Sequence, residues 1–151
     1  MSQLQVLMAC SDLECRIALG DILAQCGIEP ARATNSVEVR TVLTRWPVNL
    51  VFCEAALPGG GFREVLRLTK ATGGGIPLVV CSRLGDWDEY LKAMQFGVFD
   101  FIARPYRRAE VESIVNCARP IYLDKTMGGT RDNIQPSAGS RNDEVWHKSS
   151  A

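Results

Sequence analysis

Five short apolar runs recur along this chain, each followed by a stretch with helical periodicity, and that alternation limits the possible folds more than any other feature. Leu4–Ala9 reads as a buried strand. Asp12 or Ser11 is placed to cap the helix after it, with Cys15, Leu19, Ile22 and Cys26 as its apolar face and Gly27 at its end. Ile28–Ala33 is a weak second strand that Pro30 pushes to a sheet edge. Asn35 with Glu38 makes a capping-box-like start for a helix carrying Val39, Val42, Leu43 and Trp46 and stopped at Pro47. Val48–Cys53 (VNLVFC) and Ile76–Cys81 (IPLVVC) are nearly continuous apolar runs, the pattern of strands covered on both faces. Between them lie a loop, Leu57-Pro58-Gly59-Gly60-Gly61, and a helix over Phe62–Thr69. Asp86 starts a helix with Trp87, Tyr90, Leu91 and Met94, ended by Gly97. Val98–Ala103 is a fifth strand, and Arg108–Ala118 a fifth helix with Val111, Ile114 and Val115 inward.

Strands alternating with helices over short connections imply an α/β fold, a doubly wound five-stranded parallel sheet with five helices. In such folds the functional crevice lies beyond the carboxyl ends of the strands. The residues there are Cys10, Ser11 and Asp12, then Glu54, Ser82 and Arg104. Beyond Pro120 the composition turns polar and Gly-containing, so residues 120–151 read as a linker or disordered tail. Within it, Trp146-His147 reads either as a short docking motif or as a solvated chain end.

Composition excludes several function classes. The 17 basic and 17 acidic residues leave a net charge of +0, which argues against a broad electrostatic grip on nucleic acid or on an anionic membrane. Arg104, Arg107 and Arg108 form a small basic cluster, read as a solvated helix start or a partner-facing surface. The single histidine is His147, so the folded part has no Ser-His-Asp, Cys-His or Cys/His zinc arrangement. The glycine triplets 59–61 and 73–75 lack a phosphate-binding lysine and read as loops. The six cysteines contain no CxxC and sit mostly in apolar runs, which suggests reduced thiols and a cytoplasmic setting. No apolar run approaches the roughly 20 residues of a membrane span, and the first residues do not resemble a secretory signal.

The segments VLMACSD at the first strand, NLVFCEAALPGGGF around the third, IPLVVCSR at the fourth and VFDFIARPY at the fifth are similar to those of a response-regulator receiver domain. The resemblance covers about Leu4 to Arg119, with Leu57-Pro58-Gly59 and Arg104-Pro105-Tyr106 its most specific pieces. It implies a flavodoxin-like receiver at 1–119 with strand order 2-1-3-4-5. Receivers of the usual kind hold Mg²⁺ with an acidic pair after the first strand and an aspartate after the third. That aspartate accepts a phosphoryl group, whose oxygens a Ser/Thr and a Lys then bind.

Carried over position by position, the acidic pair falls on Cys10 and Ser11, and Asp12 lies one place beyond it. The phosphoacceptor position falls on Glu54, and the switch and phosphate-binding positions fall on Ser82, Arg104 and Phe101. The resemblance implies a cis Arg104–Pro105 bond, so Pro105 is the cis-proline candidate. A thiol and a neutral hydroxyl are poor ligands for Mg²⁺, so no cofactor is expected and metal binding should be weak or absent. Glu54 has two readings. It could accept hydrogen bonds from Ser82 and a fork from Arg104, mimicking a phosphorylated state, or it could be a solvated loop carboxylate in a degenerate site. Cys53 and Cys81 read as core residues, whereas Cys10 occupies a site position where Arg104 could stabilise its thiolate.

The expectation is an atypical stand-alone receiver in phosphorelay-type signal transduction: a protein-interaction module, not an enzyme, without ordinary Mg²⁺-dependent phosphorylation. The alternatives are a receiver phosphorylated at Glu54, or a thiol-based sensor using Cys10. Its partners would be signalling proteins, or a second copy, on the face made by the fourth helix, fifth strand and fifth helix, with no nucleic acid and no membrane.

Overall fold

The computed structural model describes residues 4–72 and 75–127, with side chains through Arg119. Gly73, Gly74 and residues 128–151, including Trp146 and His147, lie outside the described residues. Strands β1 (Val6–Ala9), β2 (Ala31–Ala33), β3 (Leu50–Glu54), β4 (Leu78–Ser82) and β5 (Asp100–Ala103) form one parallel sheet in the order β2-β1-β3-β4-β5. Helices α1 (Leu13–Gln25), α2 (Ser36–Arg45), α3 (Gly61–Ala71), α4 (Trp87–Gln95) and α5 (Arg108–Met127) alternate with them. The fold expected from the alternation is the one observed.

The two faces of the sheet carry separate cores. Leu7, Val51, Val80 and Phe101 pack with Val39 and Val42 of α2, Val65 of α3 and Ala93 of α4. Met8, Cys10, Phe52, Cys81 and Ile102 pack with Cys15 and Leu19 of α1 and Val111 and Val115 of α5. Every residue of β3 and β4 is buried, as strands sandwiched between two helical layers require.

Several local expectations shift for identifiable reasons. In α1 the buried stripe is Cys15, Leu19 and Leu23, at intervals of four, while Ile22 and Cys26 lie at its margin. Trp46 leaves the helical face of α2 because its backbone is already extended at the C-cap, and its ring is exposed. The capping pattern of α2 is displaced by one residue. Asn35 Oδ1 accepts from the Glu38 N–H at 2.9 Å, but Glu38 Oε1 reaches back to Thr34, whose N–H and hydroxyl donate at 2.7 and 2.9 Å. In α4 only Ala93 is fully buried, which leaves Trp87 53% and Leu91 40% exposed beside β5. Helix α5 runs past Ala118 and through Pro120, which has no N–H to give to the Asn116 carbonyl.

The loop after β3 is pinned to α2. The Ser36 N–H donates to the Pro58 carbonyl at 3.0 Å. Gly59 sits at φ +96°, and a Cβ there would lie 2.1 Å from Ser36 Oγ, so the close approach admits glycine alone.

Candidate functional site

The crevice lies at the carboxyl ends of β1, β3, β4 and β5. Glu54 and Ser82 are the last residues of β3 and β4 rather than loop residues beyond them. Both are buried, at 6% and 0% exposure. Side chains of a strand alternate between faces, and the β3–β4 register sets Glu54 beside Cys81, not beside Ser82. Glu54 therefore shares the α1/α5 face with Phe52, and Ser82 shares the opposite face with Val80.

That geometry does not form the Glu54–Ser82–Arg104 constellation, one of the two readings of Glu54. Glu54 Oε1 accepts from the Ser11 N–H at 2.7 Å and from the Ser11 hydroxyl at 2.9 Å. It is neither a solvated loop carboxylate nor a partner of the switch positions. Ser82 donates its hydroxyl hydrogen to the Glu89 carboxylate of α4 and accepts from the Leu84 and Gly85 N–H groups at 3.2 and 3.0 Å. Arg104 continues β5 on the α1 face and forks onto the first turn of α1. Its guanidinium meets Asp12 Oδ2 and, at 3.1 Å, Glu14 Oε1. Asp12 also caps α1, accepting from the Cys15 N–H at 3.2 Å. The Arg104–Pro105 peptide is cis. Phe101 is turned inward, its ring edge-on to Tyr90 at 5.6 Å between centroids.

Behind Ser11 the thiols form a cluster. Cys10 Sγ lies 2.8 Å from Cys15 Sγ, and Cys15 Sγ lies 3.6 Å from Tyr106 Oη. The Cys10 thiol is pushed far up by its hydrogen bond to Cys15 and by burial, which disfavours the alternative of a Cys10 thiolate. Cys15 is the lowered one, through its hydrogen bonds from Cys10 and Tyr106 against the opposing effect of burial. Sequence reasoning had placed Cys15 on a core stripe. Its only other signal was its position in the first turn of the helix that begins beside Cys10. Cys53 lies in the α2–α4 core, its thiol donating to the Glu54 backbone carbonyl at 3.3 Å, and burial raises its pKa. Cys81 faces the same side as Glu54 and lines the same cleft, with Ser11, Asp12, Arg83 and Glu89.

Among the described residues, no group of three or more His, Cys, Asp or Glu side chains is placed to hold a metal ion. No helix among them is long and apolar enough to cross a membrane.

No family model matches the chain. Among curated proteins it is similar to the response regulator protein PilR of Pseudomonas aeruginosa, 24% identical over 118 residues, which cover 78% of this chain and 26% of PilR. It is also similar to the sporulation initiation phosphotransferase F of Bacillus subtilis, 22% identical over 106 residues, covering 70% of this chain and 86% of that protein. Among solved structures it superposes on the receiver domain of the sensor histidine kinase PA1611 from Pseudomonas aeruginosa with a TM-score of 0.67. That match has 16% identity and covers 76% of this chain and 95% of that domain, which holds a magnesium ion in its active-site cleft. The chain has the fold of a receiver domain, and its sequence is similar to those of response regulators. The matched part of the chain spans about a quarter of the length of PilR. At the two positions that the resemblance assigns to an acidic pair stand Cys10, whose sulfur is turned into the core, and Ser11, whose hydroxyl is committed to Glu54.

Proposed function

We propose that this receiver acts in two-component signal transduction as a protein-interaction module without ordinary Mg²⁺-dependent phosphorylation of an acidic acceptor. The observation that carries this reading is the commitment of the carboxylates lining the crevice: Glu54 to Ser11, Asp12 to Arg104 and the cap of α1, and Glu89 to Ser82. Mg²⁺ demands near-octahedral oxygen ligation and dehydrates reluctantly. A buried thiol, a hydroxyl already bonded and a carboxylate already paired with guanidinium do not suit it. Without a cation, a phosphoryl group entering beside Glu54 would meet uncompensated negative charge.

The switch hydroxyl of Ser82 is held by Glu89, which lines the same cleft as Glu54, so Ser82 and Glu54 share no hydrogen bond. The receiver would rest in one state, with partner choice set by its surface. The face of α4, β5 and α5 is the candidate surface. It exposes Trp87 and Leu91 beside a cleft of about 600 Å³ lined by Trp87, Tyr90, Phe101, Pro105, Arg107 and Glu110. Its occupant would be a signalling protein or a second receiver rather than nucleic acid or a membrane, and the setting cytoplasmic.

The test is incubation with a small acyl-phosphate donor and Mg²⁺, read by intact mass. No phosphoryl adduct is expected. An adduct that disappears in Glu54→Gln would overturn the reading in favour of Glu54 as acceptor. The combined substitution Cys10→Asp, Ser11→Asp and Glu54→Asp serves as the positive control and should recover Mg²⁺ binding measurable by calorimetry.

A further inference from the structure

We propose that Cys10 and Cys15 are a dithiol modification site that closes reversibly to an intramolecular disulfide on reaction with a hydroperoxide, stapling the β1–α1 loop. The two reduced sulfurs are already 2.8 Å apart, inside van der Waals contact. They are separated by four residues, Ser11 and Asp12 of the loop and Leu13 and Glu14 at the start of α1, so bond formation needs no rearrangement of distant chain. This inference is independent of whether Glu54 accepts phosphate.

The two thiols have different roles. Cys15 is in the first turn of α1, where unsatisfied backbone N–H groups favour negative charge. The Cys10 thiol and the Tyr106 hydroxyl both lie within hydrogen-bonding reach of its sulfur. Cys15 is therefore the attacking thiolate, and Cys10 is the proton donor and then the resolving thiol. The direction of the Cys15 pKa agrees with this assignment. Both sulfurs are buried, so the oxidant must be small and must enter as the loop moves. Ser11 in the loop and Leu13 at the start of α1 are exposed, and the cleft lined by Ser11, Asp12 and Cys81 opens beside them.

The chemistry balances. The Cys15 thiolate, its proton already given to solvent, attacks the outer oxygen of ROOH. The O–O bond breaks, Cys15 becomes a sulfenic acid, and the departing alkoxide takes the Cys10 proton to leave as ROH. The Cys10 thiolate then attacks the Cys15 sulfur, the S–O bond breaks, and hydroxide leaves, becoming water with the proton released earlier. Two thiols are oxidised by two electrons in all, and the peroxide is reduced by two.

The ring so closed contains Ser11, which holds Glu54, and Asp12, which holds Arg104. Oxidation therefore acts on the residues that set the crevice, and it removes the Cys15–Tyr106 contact.

Trypsin releases residues 1–16 as one peptide containing Cys10 and Cys15 and no other cysteine. The native full chain is treated with hydrogen peroxide, denatured, alkylated, digested and read by mass spectrometry. The 1–16 peptide should appear two hydrogens lighter and unalkylated, and treatment with dithiothreitol before alkylation should restore two alkylatable thiols. Half-conversion should need about tenfold less peroxide than modification of Cys26 in peptide 17–32 or Cys117 in peptide 109–125. Two alkyl groups on the 1–16 peptide at doses that modify Cys26 or Cys117 would overturn the proposal. So would Cys15 carried to sulfinic acid with Cys10 still alkylated.

Discussion

The Ser82 hydroxyl leaves β4 on the opposite face of the sheet from the Glu54 side chain and is turned onto the Glu89 carboxylate near the start of α4, which lines the same cleft as Glu54. The same oxygen accepts from the amides of Leu84 and Gly85, so one serine ties the end of β4 to the loop and helix after it. A buried hydroxyl bonded to a carboxylate contributes about 1.5 kcal/mol. Glu89→Ala should therefore reduce hydrogen-exchange protection of the Leu84 and Gly85 amides about tenfold and lower the melting temperature by a few degrees. Unchanged protection would show that the two backbone donors alone hold Ser82.

Glu54 is tested by its two nearest substitutions. Glutamine retains an oxygen that can accept from the Ser11 N–H, whereas alanine strands that amide and the Ser11 hydroxyl. Urea denaturation should show Glu54→Gln within about 1 kcal/mol of the parent and Glu54→Ala lower by about 2 kcal/mol. Equal losses would mean that the ionic charge, not the acceptor geometry, is what Ser11 responds to.

Asp100 supplies a pH dependence. Burial pushes its carboxyl up from the usual 3.8 to about 6, only partly offset by the bond it accepts from the Phe101 N–H. Below the unfolded value both states hold the proton and folding bears no penalty. As pH rises from 3.8 towards 6 the unfolded chain ionises first and stability falls, and above 6 the full cost is present. Asp100→Asn should thus stabilise the protein by about 2 kcal/mol at pH 7.5 and by almost nothing near pH 3.5. The same gain at both pH values would contradict this origin.

Gly59 tests the β3–α3 loop. At φ +96°, with Ser36 Oγ where a Cβ would go, Gly59→Ala should cost about 2 kcal/mol or more and displace the start of α2. Adding Ser36→Gly should recover part of that loss, leaving the cost of the backbone conformation itself. No recovery would place the whole effect in the backbone.

The alternation of apolar runs with helical stretches determined the parallel α/β architecture by itself, because a strand buried on both faces has to be apolar at every position. Asp12, Asn35 and Asp86 marked the helix starts for a similar reason: an unsatisfied helix N-terminus needs a nearby oxygen, and that need is local. The positions Cys10, Ser11, Glu54, Ser82, Phe101 and Arg104 could likewise be read from their places at the strand ends.

Which of those residues meet was decided only by the tertiary structure. A one-residue difference in the β3–β4 register sends Glu54 and Ser82 to opposite faces, and nothing local to either strand records that offset. Arg104 found Asp12 and Glu14 instead because its face of β5 looks onto α1. Cys15 looked like one more core residue until the turn from β1 into α1 set its sulfur against that of Cys10. Pairings of this kind depend on register and helix placement, which are properties of the assembled sheet and not of any segment.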